Sequence, residues 1–324
     1  MIEHNYSTPA TQEALQRVLK SVFSAQDIAS PLLSVDCTAP LAQARELIGE
    51  GKQSILGVRT EGVICGWLDE SAFVCDNSAD DAKTCGELAR DLGELPLIDA
   101  KTSFQEVILN LAQSRVLLVK VMGEVLAFIT MQNLQNAPMR MWLFGLVSLM
   151  ETLMFRGIVT QMPGNSWQEH LSPGRLARTV ALYEERLRRN EDIEMVDCLQ
   201  FADKADILLR NPKTSKALGF TSRRQGNEFF SKLEILRNSL VHSQILSEHS
   251  LPTIVSLALS LDILLNVDKR PLLENSPEEI EDFQQMSERM RNHKLQLSAI
   301  KTLPGVAIPP PTPAGKLPPK NKKK

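Results

Sequence analysis

The sequence predicts an α+β protein. A repeated strand–helix–strand–strand–helix unit occupies the front, an all-α bundle follows, and the chain ends in a disordered basic tail. Three observations carry this expectation. A pattern of short apolar strands and amphipathic helices recurs at an offset of 61–63 residues within residues 28–136. From Met139 to residue 268 the apolar spacing is helical. The end, "LPGVAIPPPTPAGKLPPKNKKK", is rich in Pro and then in Lys.

The repeat is read element by element. "LLSVDCTAPLAQARELI" (32–48) and "LPLIDAKTSFQEVILNL" (95–111) share a short apolar strand ending in Val35 or Ile98. An Asp (Asp36 or Asp99), a turn and an amphipathic helix come next in both. "SILGVR" (54–59) and "RVLLVK" (115–120) are buried-strand patterns, each followed by a turn and a further strand, "GVICGWLDESAF" (62–73) and "GEVLAFITMQNL" (123–134). The first unit therefore spans 28–75 and the second 92–136, behind a leading helix within residues 1–27.

Behind them, 139–158 predicts a strongly apolar helix, and Ser172-Pro173 opens the next one as N-cap and first-turn Pro. That helix, 174–190, places Leu176, Val180, Tyr183 and Leu187 on one face. A third helix is expected over 193–210, stopped near Asn211-Pro212, and Ser222 caps a fourth that passes Phe229, Phe230, Leu233 and Leu236. Residues 252–267 are nearly all apolar and read as a buried fifth helix. A polar helix is expected over 276–297 and a disordered tail over 303–324.

Composition limits the class of function. At 43% hydrophobic and 23% charged residues, 324 residues form globular domains rather than a disordered chain. The five cysteines show no C-x-x-C spacing and the start of the chain lacks a signal-peptide pattern. The most apolar run, 141–155, is shorter than a bilayer span and is interrupted by Glu151. A cytoplasmic protein with no membrane partner and no metal site is the expectation. Residues 1–139 carry 10 Lys and Arg against 18 Asp and Glu, whereas 140–246 carry 15 against 12, which suggests two modules with different partners.

"LRNSLVHS" (236–243) holds the chemistry. Arg237, Asn238 and His242 form R-N-x-x-x-H; on a helix Asn238 and His242 share a face and Arg237 flanks it. One His without a neighbouring carboxylate or thiolate is a poor metal set. Ser239 and Ser243 carry no nucleophile-elbow pattern. A guanidinium that binds phosphate oxygens and an imidazole that exchanges protons near neutral pH suit phosphodiester chemistry. RNA brings its own nucleophile, the 2′-hydroxyl.

The front half resembles a tandem pair of CBS domains, whose clefts in that family often bind adenosine nucleotides. The family's ribose–phosphate signature falls on "AFITMQN", where Thr130 matches and Asn133 replaces an Asp; the first unit offers Asp69 and Ala72 there. The resemblance implies Thr130, Asn133, Asp36 and Asp99 as nucleotide-site residues and AMP or ATP as a regulatory ligand, with no cofactor required. Residues 139–268 resemble the HEPN superfamily (higher eukaryotes and prokaryotes nucleotide-binding), which carries R-N-x-x-x-H near the end of its bundle. Many of its members are metal-independent endoribonucleases that dimerise to form one composite site.

That resemblance implies an RNA substrate and a homodimer or dimer of dimers, with an antitoxin or operon partner. Arg237 would stabilise phosphate, His242 would do acid–base work, Asn238 would orient the site, and Glu151 would be the auxiliary polar residue. Arg175, Arg178, Arg186, Arg188, Arg189, Lys204, Arg223 and Arg224 would line an RNA track. The alternative reading is a non-catalytic nucleotide-sensing adaptor that uses both modules for dimerisation.

Overall fold

Alternating burial builds two four-stranded sheets from the repeat. The computed structural model describes residues 9–49, 54–73, 83–211, 215 and 220–267. The helix expected at 276–297, the tail at 303–324 and Cys75 lie outside the described residues. In the first unit, β2 (Ser34–Asp36) crosses through α2 (Leu41–Gly49) to a parallel β3 (Ile55–Thr60), which turns back into β4 (Val63–Asp69). The second unit repeats this with β6 (Leu97–Asp99), α4 (Phe104–Leu111), β7 (Val116–Val121) and β8 (Glu124–Thr130).

Both hairpins turn on two residues of positive φ, Glu61-Gly62 and Met122-Gly123, the type I′ geometry that matches strand twist. Both carry a register shift at the same place, Val58/Arg59 and Val119/Lys120. The internal repeat is thus real at the level of turns and bulges.

The units are not self-contained. β1 (Ser30–Pro31), which precedes the first unit, pairs antiparallel with β8 of the second. β5 (Arg90–Asp91), which precedes the second unit and follows the short α3 (Cys85–Leu88), pairs antiparallel with β4 of the first. The sheet orders are β1-β8-β7-β6 and β2-β3-β4-β5. Leu32 and Ile55 meet Leu118, Val125 and Phe128 in one core cluster, so both units share their interior.

Each unit was expected to close on a helix; among the described residues, the last strand of each runs into a 3-10 turn. Residues Glu70–Phe73 and Met131–Gln135 form these turns. Asp69 Oδ1 accepts the Ser71 N–H at 3.0 Å, and Thr130 Oγ1 accepts that of Gln132 at 3.3 Å. A side chain that satisfies a backbone donor two residues on favours a tight turn over a continuing helix.

The bundle follows. α5 (Ala137–Gln161) buries Trp142, Leu143, Leu146, Met150, Met154 and Ile158. It contacts α1 (Pro9–Ser21), α7 (Phe201–Arg210), α8 (Arg223–Val241) and α9 (Leu251–Val267). Its 25 residues exceed the expected apolar run: an 18-residue stretch of it has a mean hydropathy of 1.5, so by length and composition it is long and apolar enough to cross a membrane. Here it is the central helix of the bundle. α9 also packs on α4, so the helical part is seated on the second unit.

Ser172 caps α6 (Pro173–Arg188) through the Arg175 N–H at 3.4 Å, and Ser222 caps α8 through the Gln225 N–H at 3.2 Å, both as expected. Two local expectations change. The helix read as 193–210 begins only at Phe201, because the Asp197 carboxylate takes the Glu194 N–H at 2.8 Å and closes a separate turn, Met195–Cys198. On α6 the buried residue is Thr179, while Leu182 and Leu187 stay exposed.

Gly66 passes under the exchanged strand: a Cβ there would lie 2.9 Å from the Arg90 carbonyl oxygen and 3.0 Å from the Ala89 Cβ. Gly66→Ala is expected to destabilise by about 1–3 kcal/mol through overpacking, read as a lower denaturant midpoint. Burial raises the thiol pKa of Cys85 and Cys198, while Cys65 is exposed. A thiol reagent should therefore label Cys65 in the folded protein and reach Cys85 and Cys198 only on unfolding.

Candidate functional site

Helix α8 presents the motif because its apolar residues recur at helical spacing. Phe230, Leu233, Leu236 and Leu240 are buried, which leaves Asn238 and His242 exposed together and Arg237 at the boundary. Ile235, Val241 and Ile245, close to them in the chain, are exposed as well.

The end of α8 is built around His242, its C-cap residue. The His242 N–H donates to the Asn238 carbonyl at 2.9 Å. Ser243 takes φ 53°, its N–H donates to Leu240 O at 3.3 Å, and the Gln244 N–H donates to Ser239 O at 2.8 Å. This is a Schellman motif, in which glycine normally supplies the left-handed residue.

A side chain that the sequence did not single out completes the cap. The Arg140 guanidinium donates to Gln244 O at 2.9 Å and to Ser239 O and Leu240 O at 3.1 Å each. A cation there complements the negative end of the helix dipole. One signal for it existed: a cation in the first turn of its own helix is badly placed and needs a partner elsewhere. Gln135 is the second such residue. Its Nε2 donates to Leu246 O at 2.8 Å and its Oε1 accepts the Leu246 N–H at 3.0 Å, and no sequence pattern marks it.

Glu151 does lie beside the motif. Its Oε2 is 3.6 Å from Arg237 Nε, and its Oε1 accepts from Lys204 Nζ at 3.0 Å. Lys204 was expected on an RNA track, yet its side chain is only 9% exposed. Its place beside Phe201, Ala205 and Leu208 on the apolar face of α7 could have revealed this.

Three of the seven remaining track cations are also paired with carboxylates. Arg175 meets Asp203 at 3.1 Å and Asp206 at 2.6 Å, Arg186 meets Glu191 at 2.6 Å, and Arg189 pairs with Glu185. The Glu191 carboxylate raises the pKa of Arg186. Arg178, Arg188, Arg223 and Arg224 are exposed, and Arg188 Nε donates to Glu184 O at 3.2 Å.

In the second unit, Asn133 is 5% exposed and its carboxamide is committed to the fold. Its Oδ1 accepts the Thr130 N–H at 2.8 Å and the Thr130 hydroxyl at 3.1 Å. Its Nδ2 donates to Ile28 O at 2.7 Å and Ser30 Oγ at 2.9 Å. Asn133 therefore latches β1 rather than facing an open cleft. In the first unit Asp69 pairs with Arg90 at 3.9 Å, and Arg90 lies over the Trp67 ring at 5.0 Å. The Asp69 carboxylate at the signature position thus has a cation against it.

Asp36 and Asp99 occupy equivalent exposed strand ends. Arg59 donates to Asp36 at 3.3 and 3.0 Å, and that hydrogen bond holds the Asp36 carboxyl below its usual range. Asp99 Oδ1 accepts the Lys101 N–H at 2.9 Å. The structure brings Arg237, Glu151 and the Asn238–His242 face together in the bundle, and Thr130 and Asn133 together in the second unit.

No protein-family model and no curated protein matches this chain. Solved structures similar to its front part include Hypoxic Response Protein I with two coordinated zinc ions (22% identity, 35% of this chain and 96% of that chain, TM-score 0.30). Others are the CBS-pair protein CBSX2 from Arabidopsis thaliana (19%, 37% and 96%, 0.32) and the CBS domain of the bacterial CNNM/CorC family Mg2+ transporter in complex with ATP (14%, 38% and 90%, 0.31).

Glu151 should matter to stability as well as to geometry. Removing one partner of a poorly solvated ion pair strands the other charge. Glu151→Ala is expected to cost about 3 kcal/mol, the low end for a buried pair because Glu151 keeps some solvent contact. Glu151→Ala combined with Lys204→Met should recover much of that loss. Chemical denaturation of the two single variants and the double variant measures this, and strict additivity would refute it.

Proposed function

We propose that residues 28–136 act as a CBS-type sensor of an adenosine nucleotide. Residues 139–268 would act as a HEPN-type endoribonuclease that works as a homodimer and needs no metal. The observation that carries this reading is the grouping on α8: Arg237 is steered by Glu151, and Asn238 and His242 sit beside it on one exposed face.

On this reading the substrate's 2′-oxygen attacks phosphorus as the His242 imidazole takes its proton. The P–O2′ bond forms and the P–O5′ bond breaks, giving a 2′,3′-cyclic phosphate and a 5′-hydroxyl. The second copy's imidazole returns a proton to the leaving oxygen. Arg237 neutralises the charge that gathers on the non-bridging oxygens, and Asn238 orients the pair. Exposed Ile235, Val241 and Ile245 form an apolar rim that suits an isologous two-fold contact around this polar centre. An antitoxin or operon partner would compete for the same face.

A second reading has its own support. Arg237 already has a carboxylate partner and Asn133 is consumed by the fold, which fits a non-catalytic sensing adaptor in which these residues serve packing.

Cleavage of end-labelled RNA in EDTA separates the two. The wild type should cut, and His242→Ala and Arg237→Ala should each lose about 100-fold or more. AMP and ATP, the nucleotides named with CBSX2 and the CNNM/CorC domain, should alter the wild-type rate. Equal background in wild type and His242→Ala ends the enzyme reading.

A further inference from the structure

Residues 130–140 are gripped at both ends. At the front end, Asn133 joins Thr130 to Ile28 O and Ser30 Oγ, and Asn136 Nδ2 adds a bond to Ile28 O at 3.1 Å. This end therefore holds the exchanged strand β1 against the second sheet. At the far end, Gln135 pairs with both backbone polar groups of Leu246, and Arg140 binds three carbonyls between Ser239 and Gln244. This end holds the turn that carries His242. Only Leu134 separates Asn133 from Gln135, and both lie in one 3-10 turn.

We infer that this segment is a clasp: Gln135 and Arg140 are positioning residues for the His242 turn, and Asn133 links their geometry to the seating of β1. Two physical features make the turn dependent on them. The Schellman motif is closed by Ser243 rather than glycine, so its left-handed residue carries a steric penalty that external bonds offset. The chain from Gln244 to Ser247 has no regular structure of its own, so Leu246 is fixed by the Gln135 carboxamide and by its burial. A group that engaged the Thr130 hydroxyl would compete with Asn133 Oδ1 and thereby reach the turn. The catalytic consequence rests on the ribonuclease reading above; the linkage itself does not.

The linkage is reciprocal, and that gives a ligand-free test. Hydrogen exchange is measured on the full chain for wild type, Gln135→Ala and Ser30→Ala. Ser30→Ala alters only the β1 end, yet it should speed exchange in the 239–247 segment about fivefold, the scale of one lost hydrogen bond, with α6 unchanged. Gln135→Ala should in turn loosen the Leu32 amide, which bonds Leu126 O at 2.9 Å beside β1. If each variant changes exchange only at its own end, the clasp is overturned. Should Ser30→Ala fail to fold, Gln135→Ala still decides the matter in the opposite direction. AMP and ATP are then added to wild type. A nucleotide that protects 28–32 and leaves 239–247 unchanged also overturns the clasp. One that changes neither segment counts against the adenosine-sensor reading, while the variants still judge the linkage.

Discussion

The carboxamide of Asn133 is the contact on which the rest of the chain's organisation depends. It stops the second unit by capping the turn after β8, and with the same side chain it fixes the strand that enters the first unit. Strand β1 has only two residues and sits at a sheet edge, where ladder bonds alone hold poorly. A buried amide whose donors and acceptor are all used adds roughly 1 kcal/mol per bond, and would cost more if any were left unmet. Because β1 lies in the second sheet while the strands that follow it lie in the first, this one side chain decides how the two units share a core.

The bundle is governed by an opposite constraint, charge in an apolar setting. Glu151 sits in an apolar central helix and Lys204 on the apolar face of another. Neither is tolerable alone, since an unpaired buried charge costs several kcal/mol. Their 3.0 Å bond makes both acceptable, and the second oxygen of Glu151 remains for Arg237. Desolvation, rather than the modest attraction of a surface ion pair, is what makes this arrangement specific. The expected RNA track differs: on α6 and its C-cap, Arg175, Arg186 and Arg189 meet carboxylates in partly exposed pairs, where attraction is modest, while Arg178 and Arg188 are exposed.

The sequence made legible what local periodicity encodes. The offset of the repeat, the bounds of β3 and β7 to within a residue, the Ser172 and Ser222 caps and the shared face of Asn238 and His242 all follow from side-chain spacing and cap chemistry. What stayed hidden depends on partners distant in the chain. The exchange of β1 and β5 joins residues about 100 and 24 positions apart and leaves no periodic trace. Gln135 and Arg140 meet their carbonyls across more than 90 residues. Lys204 was readable but misassigned, because its charge outweighed its position on the apolar face.

The two units, though matched in turns and bulges, are chemically unequal, and the inequality has a direction. At the capping position the first unit has Asp69, held by Arg90 from the exchanged strand β5, and the second has Thr130, held by Asn133. An ion pair with both partners partly exposed is screened by water and salt, so the first lock is weak. The second lock is neutral, buried at Asn133 and continuous with α5, so its strength is nearly independent of ionic strength. Perturbation of the Asp69–Arg90 lock can therefore be absorbed where it occurs. The Thr130–Asn133 lock lies on the same backbone that starts the bundle, so on the clasp reading its perturbation would be passed on.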